Sequence, residues 1–343
     1  MRYRSNLMCC VLLVILVTGS AFAQDPSISI SGPILGFIAD SSGLVIRPIL
    51  GVLGASLLGD PLQLGSGIRN ALISPKQDYA LAIREGSGEL VRVGLTAGSV
   101  SIDAISGARI AADVIAISPG GTAAGAYQYG DRILQTFAQL TDAPRVVFEM
   151  DTSDIPGRLQ GLAISDDGRL ALLNLVTGDD ASLWVLSATG ARFLVTTGQP
   201  SAVSFLLGRH DAVIGDDRAQ EVFMMMGLDD TMTRVPVASN VEGFDAISGV
   251  AASDDGQRVV ITTKNSGNVT LVDRQTGVRS VLPCDCQSTG LQRLKGAAAF
   301  RLSDPSTGPI VLLDASSAEP RVVVMPATPV VTSAPAAEGV QPQ

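Results

Sequence analysis

Short apolar runs alternate with polar turns along this chain, and the alternation repeats. The segments "ALISPKQDYALAIRE", "VIAISPGGTAAGAYQ", "GLAISDDGRLALLNL" and "GVAASDDGQRVVITT" each read as an apolar run, a serine, a polar turn and a second apolar run. Two looser copies are "AVSFLLGRHDAVIGD" and "AAAFRLSDPSTGPIVLL". Counted at the serine or its equivalent, the copies fall at Ser74, Ser118, Ser165, Leu206, Ser253 and Phe300, a period of about 45 residues. Each copy continues into further β-branched runs separated by Gly, Asn, Asp and Ser, as in "RVVITT", "NVTLVDR", "QTG" and "VRSVLP". Helical 3.6-residue periodicity is hard to find beyond the first residues.

The unit is therefore four hairpin-connected strands, a to d, with strand a innermost. Its length is that of a propeller blade. The pattern predicts an all-β protein, a β-propeller over residues 27–327 with six four-stranded blades. The N-terminal runs "GPILGFIAD" and "LVIRPILG" resemble strands c and d of a unit without its own a and b. One blade shared by the two chain ends would close the ring and leave no exposed sheet edge. Seven blades is the alternative, if the N-terminal pair belongs to a blade of its own.

Asp166 and Asp167, adjacent and followed by Gly168, could be metal ligands, an acid–base pair or a turn. Other copies place Pro-Lys-Gln or Pro-Gly-Gly in the same slot, which neither chemistry would tolerate. A turn fits all of them: an aspartate carboxylate accepts nearby backbone N–H groups, and glycine takes the positive φ that closes a hairpin.

The chain ends differ from the repeats. "MRYRSNLM" carries two arginines, "CCVLLVILV" is apolar, and "TGSAFA" ends small-x-small, so residues 1–23 read as a secretory signal peptide cut between Ala23 and Gln24. The apolar run is too short to anchor in a bilayer. Residues 328–343, rich in Pro and Ala, read as a disordered tail. The expected location is periplasmic or extracellular.

Charge narrows the partners. The net charge is −9; loss of the leader removes Arg2 and Arg4 and no acid, leaving 22 basic against 33 acidic residues, or −11. Such a surface repels phosphate backbones and anionic lipid, so neither nucleic acid nor a membrane surface is expected. Aromatic residues make up 4% of the chain, too few for a sugar-stacking groove.

The stretch "ASDDGQRVVITTKNSGNVTLVDRQTGVRSVL", Ala252 to Leu282, resembles a YVTN-type repeat, with its Ser-Pro-Asp-Gly-like turn, "YVTN", "V-x-V-I-D" and "T-G" elements. The resemblance is clear over this unit and diffuse over the others, residues 66–326. It implies a β-propeller and no particular chemistry, because such repeats serve surface proteins, binding partners and some enzymes.

Few residues invite chemistry. The one histidine, His210, falls in the a–b turn of the fourth copy and reads as an exposed turn residue. No Gly-x-Ser-x-Gly elbow is present. Met224 to Met226 and Trp184, in c strands, read as packing between blades. Cys284 and Cys286 lie in the connection between the fifth and sixth copies; two thiolates cannot complete a zinc site, and a local disulfide is expected over free thiols or metal. No metal or other cofactor is expected.

Two functions remain. The first is a non-catalytic exported scaffold that recognises a protein or peptide. The second is a propeller hydrolase of lactonase type, which would need acid, Asn or His groups on inner strands; "NALI", "VIAI", "GLAI", "AVSF", "GVAA" and "AAAF" hold almost none. In a propeller the b–c and d–a connections emerge together on one face. Here they are the most varied and charged, and Arg132, Arg158, Asp179, Asp180, Asp216, Asp217, Arg218 and Lys264 are the candidate binding residues. The competing reading is that these are solvated loops.

Overall fold

The computed structural model describes residues 32–326 except 41–44, 65–66, 97–98, 110, 199–200, 240–243, 245, 285, 287, 289, 296–297, 305–307 and 317–318. The leader and the Pro/Ala-rich tail expected from sequence lie outside the described residues. Between them the chain forms seven antiparallel sheets in succession, a β-propeller without helices among the described residues. No helix of those residues is long and apolar enough to cross a membrane.

The blade count corrects the six-blade expectation and is that of the seven-blade alternative. Blade 1 is a sheet of its own, with strands Ile34–Ala39, Ile46–Val52 and Ala55–Leu58. Blades 2 to 7 have four strands each and open on Ile68–Ile73, Val114–Ile117, Arg158–Ile164, Ser201–Phe205, Ile247–Ala252 and Gln292–Arg293. The two N-terminal runs are thus strands a and b of blade 1, not c and d of a shared blade. The last blade supplies its own four strands. Its strand a is Gln292–Arg293, and Ala299–Arg301, expected innermost, is strand b.

One backbone bond makes the correct repeat visible. In every a–b turn the N–H of the first turn residue donates to the carbonyl five residues on: Asp40 to Val45, Ser74 to Tyr79, Ser118 to Ala123, Ser165 to Leu170, Leu206 to Asp211, Ser253 to Arg258 and Leu294 to Ala299. Leu294, not Phe300, holds the seventh position, and Asp40 holds the first. Where serine occupies the position its hydroxyl accepts a second N–H, from Leu170 to Ser165 at 3.0 Å and from Arg258 to Ser253 at 2.9 Å. Serine therefore repeats because it caps its own hairpin.

Packing explains the run lengths. Strands b lie between neighbouring blades and bury both faces, so Tyr79–Arg84, Ala171–Thr177 and Ala212–Asp216 are almost continuously apolar and buried. Strands d at the rim, such as Arg145–Asp151 and Thr233–Ser239, alternate with solvent. The core is a set of inter-blade layers, such as the one formed by Leu172, Leu183, Phe205, Ile214 and Phe223 between blades 4 and 5. Each such side chain contributes about 1.5–3 kcal/mol on burial.

With no shared blade, side chains close the ring. Gln77 sits at φ 61°, the turn position that glycine takes in blades 3, 4 and 6. Its buried amide accepts the N–H of Phe37 in blade 1 at 2.6 Å and donates to the carbonyl of Arg293 in blade 7 at 2.7 Å. Arg301 of blade 7 donates to the carbonyl of Ala39 in blade 1 at 3.0 Å. Three blades thus meet on two side chains.

Candidate functional site

Because each sheet is antiparallel in chain order, the a–b and c–d turns lie at one end of the blades and the b–c and d–a connections at the other. On the a–b side the two aspartates of "SDDG" have separate jobs. Asp167 Oδ1 accepts the Ser165 hydroxyl at 2.7 Å and the N–H of Arg169 at 3.0 Å, closing its own turn. Asp166 reaches outward: Oδ1 accepts the N–H of Gly120 in blade 3 and Oδ2 that of Gly208 in blade 5, both at 2.6 Å. A Cβ on Gly120 would stand 2.8 Å from Asp166 Oδ1, so this approach needs glycine. The turn reading holds for Asp167, whereas Asp166 is a tie between three blades.

Inner strands of blades 3 to 7 wall a central cavity of about 340 Å³, with Ile117, Leu162, Val203 and Val250 on its sides. Its charged group is Arg293, brought there by the corrected strand a of blade 7. Arg293 pairs with Asp254, donates to the carbonyl of Ala252 at 2.6 Å and lies 5.1 Å from the Phe300 ring centroid. Arg301 borders an adjoining cavity, and burial pushes its guanidinium below the usual value, with Asp304 opposing. Among the described residues no group of three His, Cys, Asp or Glu side chains is placed to hold a metal ion.

The opposite face gathers the loops singled out from sequence and shows what each charge does there. Arg132 donates to the carbonyls of Ile155 at 2.6 Å and Gly157 at 3.0 Å, fixing the connection into blade 4. Buried Asp216 accepts the N–H groups of Gly198, Arg218 and Ala219 on one oxygen, at 2.8–3.1 Å. Asp217 accepts the N–H of Ile247 at 3.0 Å. Arg218 pairs with Asp180 at 2.6 Å and donates to the carbonyl of Asp179 at 2.9 Å. These five residues spend their charge on holding loops together. Arg158, the Asp179 carboxylate and Lys264 are exposed on the platform so formed.

Tyr129, which the sequence analysis did not single out, completes that surface. It lies in the b–c connection of blade 3, 40% exposed, with the Arg158 guanidinium 5.8 Å from its ring centroid. Its hydroxyl donates to the carbonyl of Leu159 at 3.3 Å, and Tyr127 packs edge-on against it. An exposed aromatic in a charged turn of an aromatic-poor chain was the available signal.

Cys284 and Cys286 are joined by a disulfide, Cα–Cα 5.1 Å, in the connection from blade 6 to blade 7. Both are buried, and the N–H of Cys284 donates to the carbonyl of Gly267 at 2.9 Å. Met224 is buried between blades, and Trp184, half-buried, packs edge-on against Phe193. His210 is not the free turn residue expected; it is half-buried between Asp167 and Asp229.

No family model matches the sequence, and no curated protein matches it. Solved structures do. A functionally unknown protein from Desulfotomaculum acetoxidans DSM 771 superposes with TM-score 0.56 at 14% identity, over 85% of this chain and all of its own. A candidate 6-phosphogluconolactonase from Bacteroides fragilis NCTC 9343 gives 0.55 at 12% identity, over 88% of this chain and 98% of its own. A protein from Lactobacillus plantarum gives 0.55 at 9% identity, over 86% of this chain and 96% of its own. At these identities the likeness is one of fold.

Proposed function

We infer that this chain is an exported, non-catalytic recognition scaffold of the YVTN-repeat kind, and that its b–c/d–a face binds a polar protein or peptide. The observation that carries this reading is the Tyr129–Arg158 pair on loops pinned by buried side-chain bonds. Tyrosine and arginine presented on a rigid support are the side chains that most often anchor protein interfaces. Loops already fixed by Arg132, Asp216 and Asp217 lose little conformational freedom on binding. Export is supported by the leader pattern and by a disulfide, which persists in oxidising compartments. The net charge of −9 disfavours nucleic acid.

The alternative, a lactonase-like hydrolase, would have to work in the central cavity, where Arg293 is the one charged lining group among the described residues. A lactone and ester hydrolysis screen on purified protein separates the two. The expected result is no turnover above the buffer rate, with or without added divalent metal. Hydrolysis that is lost in Arg293→Gln would replace the scaffold reading with the enzyme.

A further inference from the structure

The seam between blades 4 and 5 carries a three-residue arrangement that the recognition face does not use. Asp167 lies in the a–b turn of blade 4, His210 in the a–b turn of blade 5 and Asp229 in the c–d turn of blade 5. His210 Nδ1 lies 2.6 Å from Asp229 Oδ2, and Nε2 lies 3.0 Å from Asp167 Oδ2. A carboxylate can only accept, so each contact needs an N–H on the ring. A neutral imidazole has one N–H, which leaves a lone pair facing the other carboxylate; the imidazolium has two. The geometry alone therefore selects the charged ring.

Neighbouring charges do not supply that proton's counter-charge from elsewhere. Arg169 approaches Asp167 at 3.6 Å, Arg209 pairs loosely with Asp211 at 3.9 Å, and Asp211 accepts the N–H of Gly227. Asp166 is held by Gly120 and Gly208, Arg192 donates to the carbonyl of Leu228, and Asp230 follows Asp229 in the chain. His210 and Asp229 also border a cavity of about 720 Å³ floored by Phe148, Leu170, Val185 and Leu228, so the same contact forms one of its walls.

We propose that Asp167, His210 and Asp229 form a proton-operated clasp that fastens blade 4 to blade 5 when the imidazole is charged and releases one carboxylate when it is neutral. Burial by itself would lower the imidazole pKa, but the Asp229 hydrogen bond and the Asp167 charge outweigh it and raise it above the ordinary 6.5. Asp167 is held below its ordinary 3.8 although burial opposes this, through the Arg169 N–H, the Ser165 hydroxyl and His210; for Asp229 the His210 hydrogen bond leads. The histidine's contribution is complete below 6.5 and disappears as pH rises through its raised folded value. The carboxylates' contribution is complete above 3.8 and disappears as pH falls through their lowered values. The clasp is thus fully closed between these limits and opens as pH rises through the histidine's raised value.

A single histidine makes the test direct, in protein prepared without a histidine tag. Nitrogen-15 correlation spectra of the imidazole across pH 5 to 9 should show both ring nitrogens protonated at the acid end, with a midpoint above 6.5. Asp229→Asn should lower that midpoint by about half a unit or more. The parent's melting temperature should fall by about 2 °C or more between mildly acidic and alkaline pH relative to His210→Gln. A midpoint at or below 6.5, or one that Asp229→Asn leaves in place, overturns the clasp whatever the stability of His210→Gln.

Discussion

Gln77→Ala should destabilise the protein by about 3–5 kcal/mol, the largest effect expected of any single turn residue. The amide it removes joins blade 2 to both ends of the ring, through the Phe37 N–H and the Arg293 carbonyl. Gln77 is buried, so both groups would lose their partner with little water to replace it. Alanine also keeps the cost of a left-handed backbone at φ 61°. Gln77→Gly removes the same bonds but relieves that backbone, and should recover about 1 kcal/mol of the loss. Thermal or urea unfolding reads both. If Gln77→Ala unfolds within a degree of the parent, the ring does not close through this side chain.

Asp166→Ala should cost about 2–3 kcal/mol, and more than an equivalent change at a rim charge such as Arg145. Each Asp166 oxygen accepts one backbone N–H, from Gly120 on one side and Gly208 on the other; alanine leaves the N–H of buried Gly120 unpaired and that of exposed Gly208 to water, and unties the three blades. Asp166→Asn keeps one carbonyl oxygen and turns an amide N–H₂ against the second donor, so it should not rescue. A turn-only role predicts the reverse order, with Asn tolerated. Comparing Ala and Asn at position 166 by unfolding midpoint decides between a local turn and a tie across three blades.

Most of the fold was legible because it is carried by serine. Ser74, Ser118, Ser165 and Ser253 cap their own hairpins, so the repeat and its turn chemistry stand out in the sequence. The blade count was legible only as the seven-blade alternative, because the first and last hairpins obey the same backbone geometry without that residue. Asp40 opens one and Leu294 the other. Meanwhile "LSDPSTG", between strands b and c of blade 7, has the serine and aspartate of the motif without its place. That one-strand slip hid blade 1 and kept Arg293 out of the channel.

The b–c/d–a loop face was legible as a place in the fold, and the jobs of its charged residues less so. Asp216 and Asp217 have the charge of solvated loop residues, yet Asp216 accepts the N–H of Gly198 in the preceding connection and Asp217 that of Ile247 at the start of blade 6. A sequence cannot separate a carboxylate that caps a loop from one that faces solvent, since the difference lies in where the next loop passes. Tyr129 escaped for the converse reason. Its chemistry is apparent only once Arg158, from the following blade, is seen over its ring.

The central claim, recognition through the b–c/d–a face, is tested by capture from a native envelope extract with three immobilised proteins. The first is the parent. The second carries Arg158→Glu, Asp179→Lys and Lys264→Glu, all exposed on the loop face and none among the loop-fixing bonds. The third carries Arg145→Glu and Arg279→Glu, exposed where strands d begin at the opposite end. The account predicts one specific partner retained equally by the parent and the third protein, and reduced about tenfold or more on the second. A partner kept by the loop-face variant and lost by the opposite-end variant would contradict it.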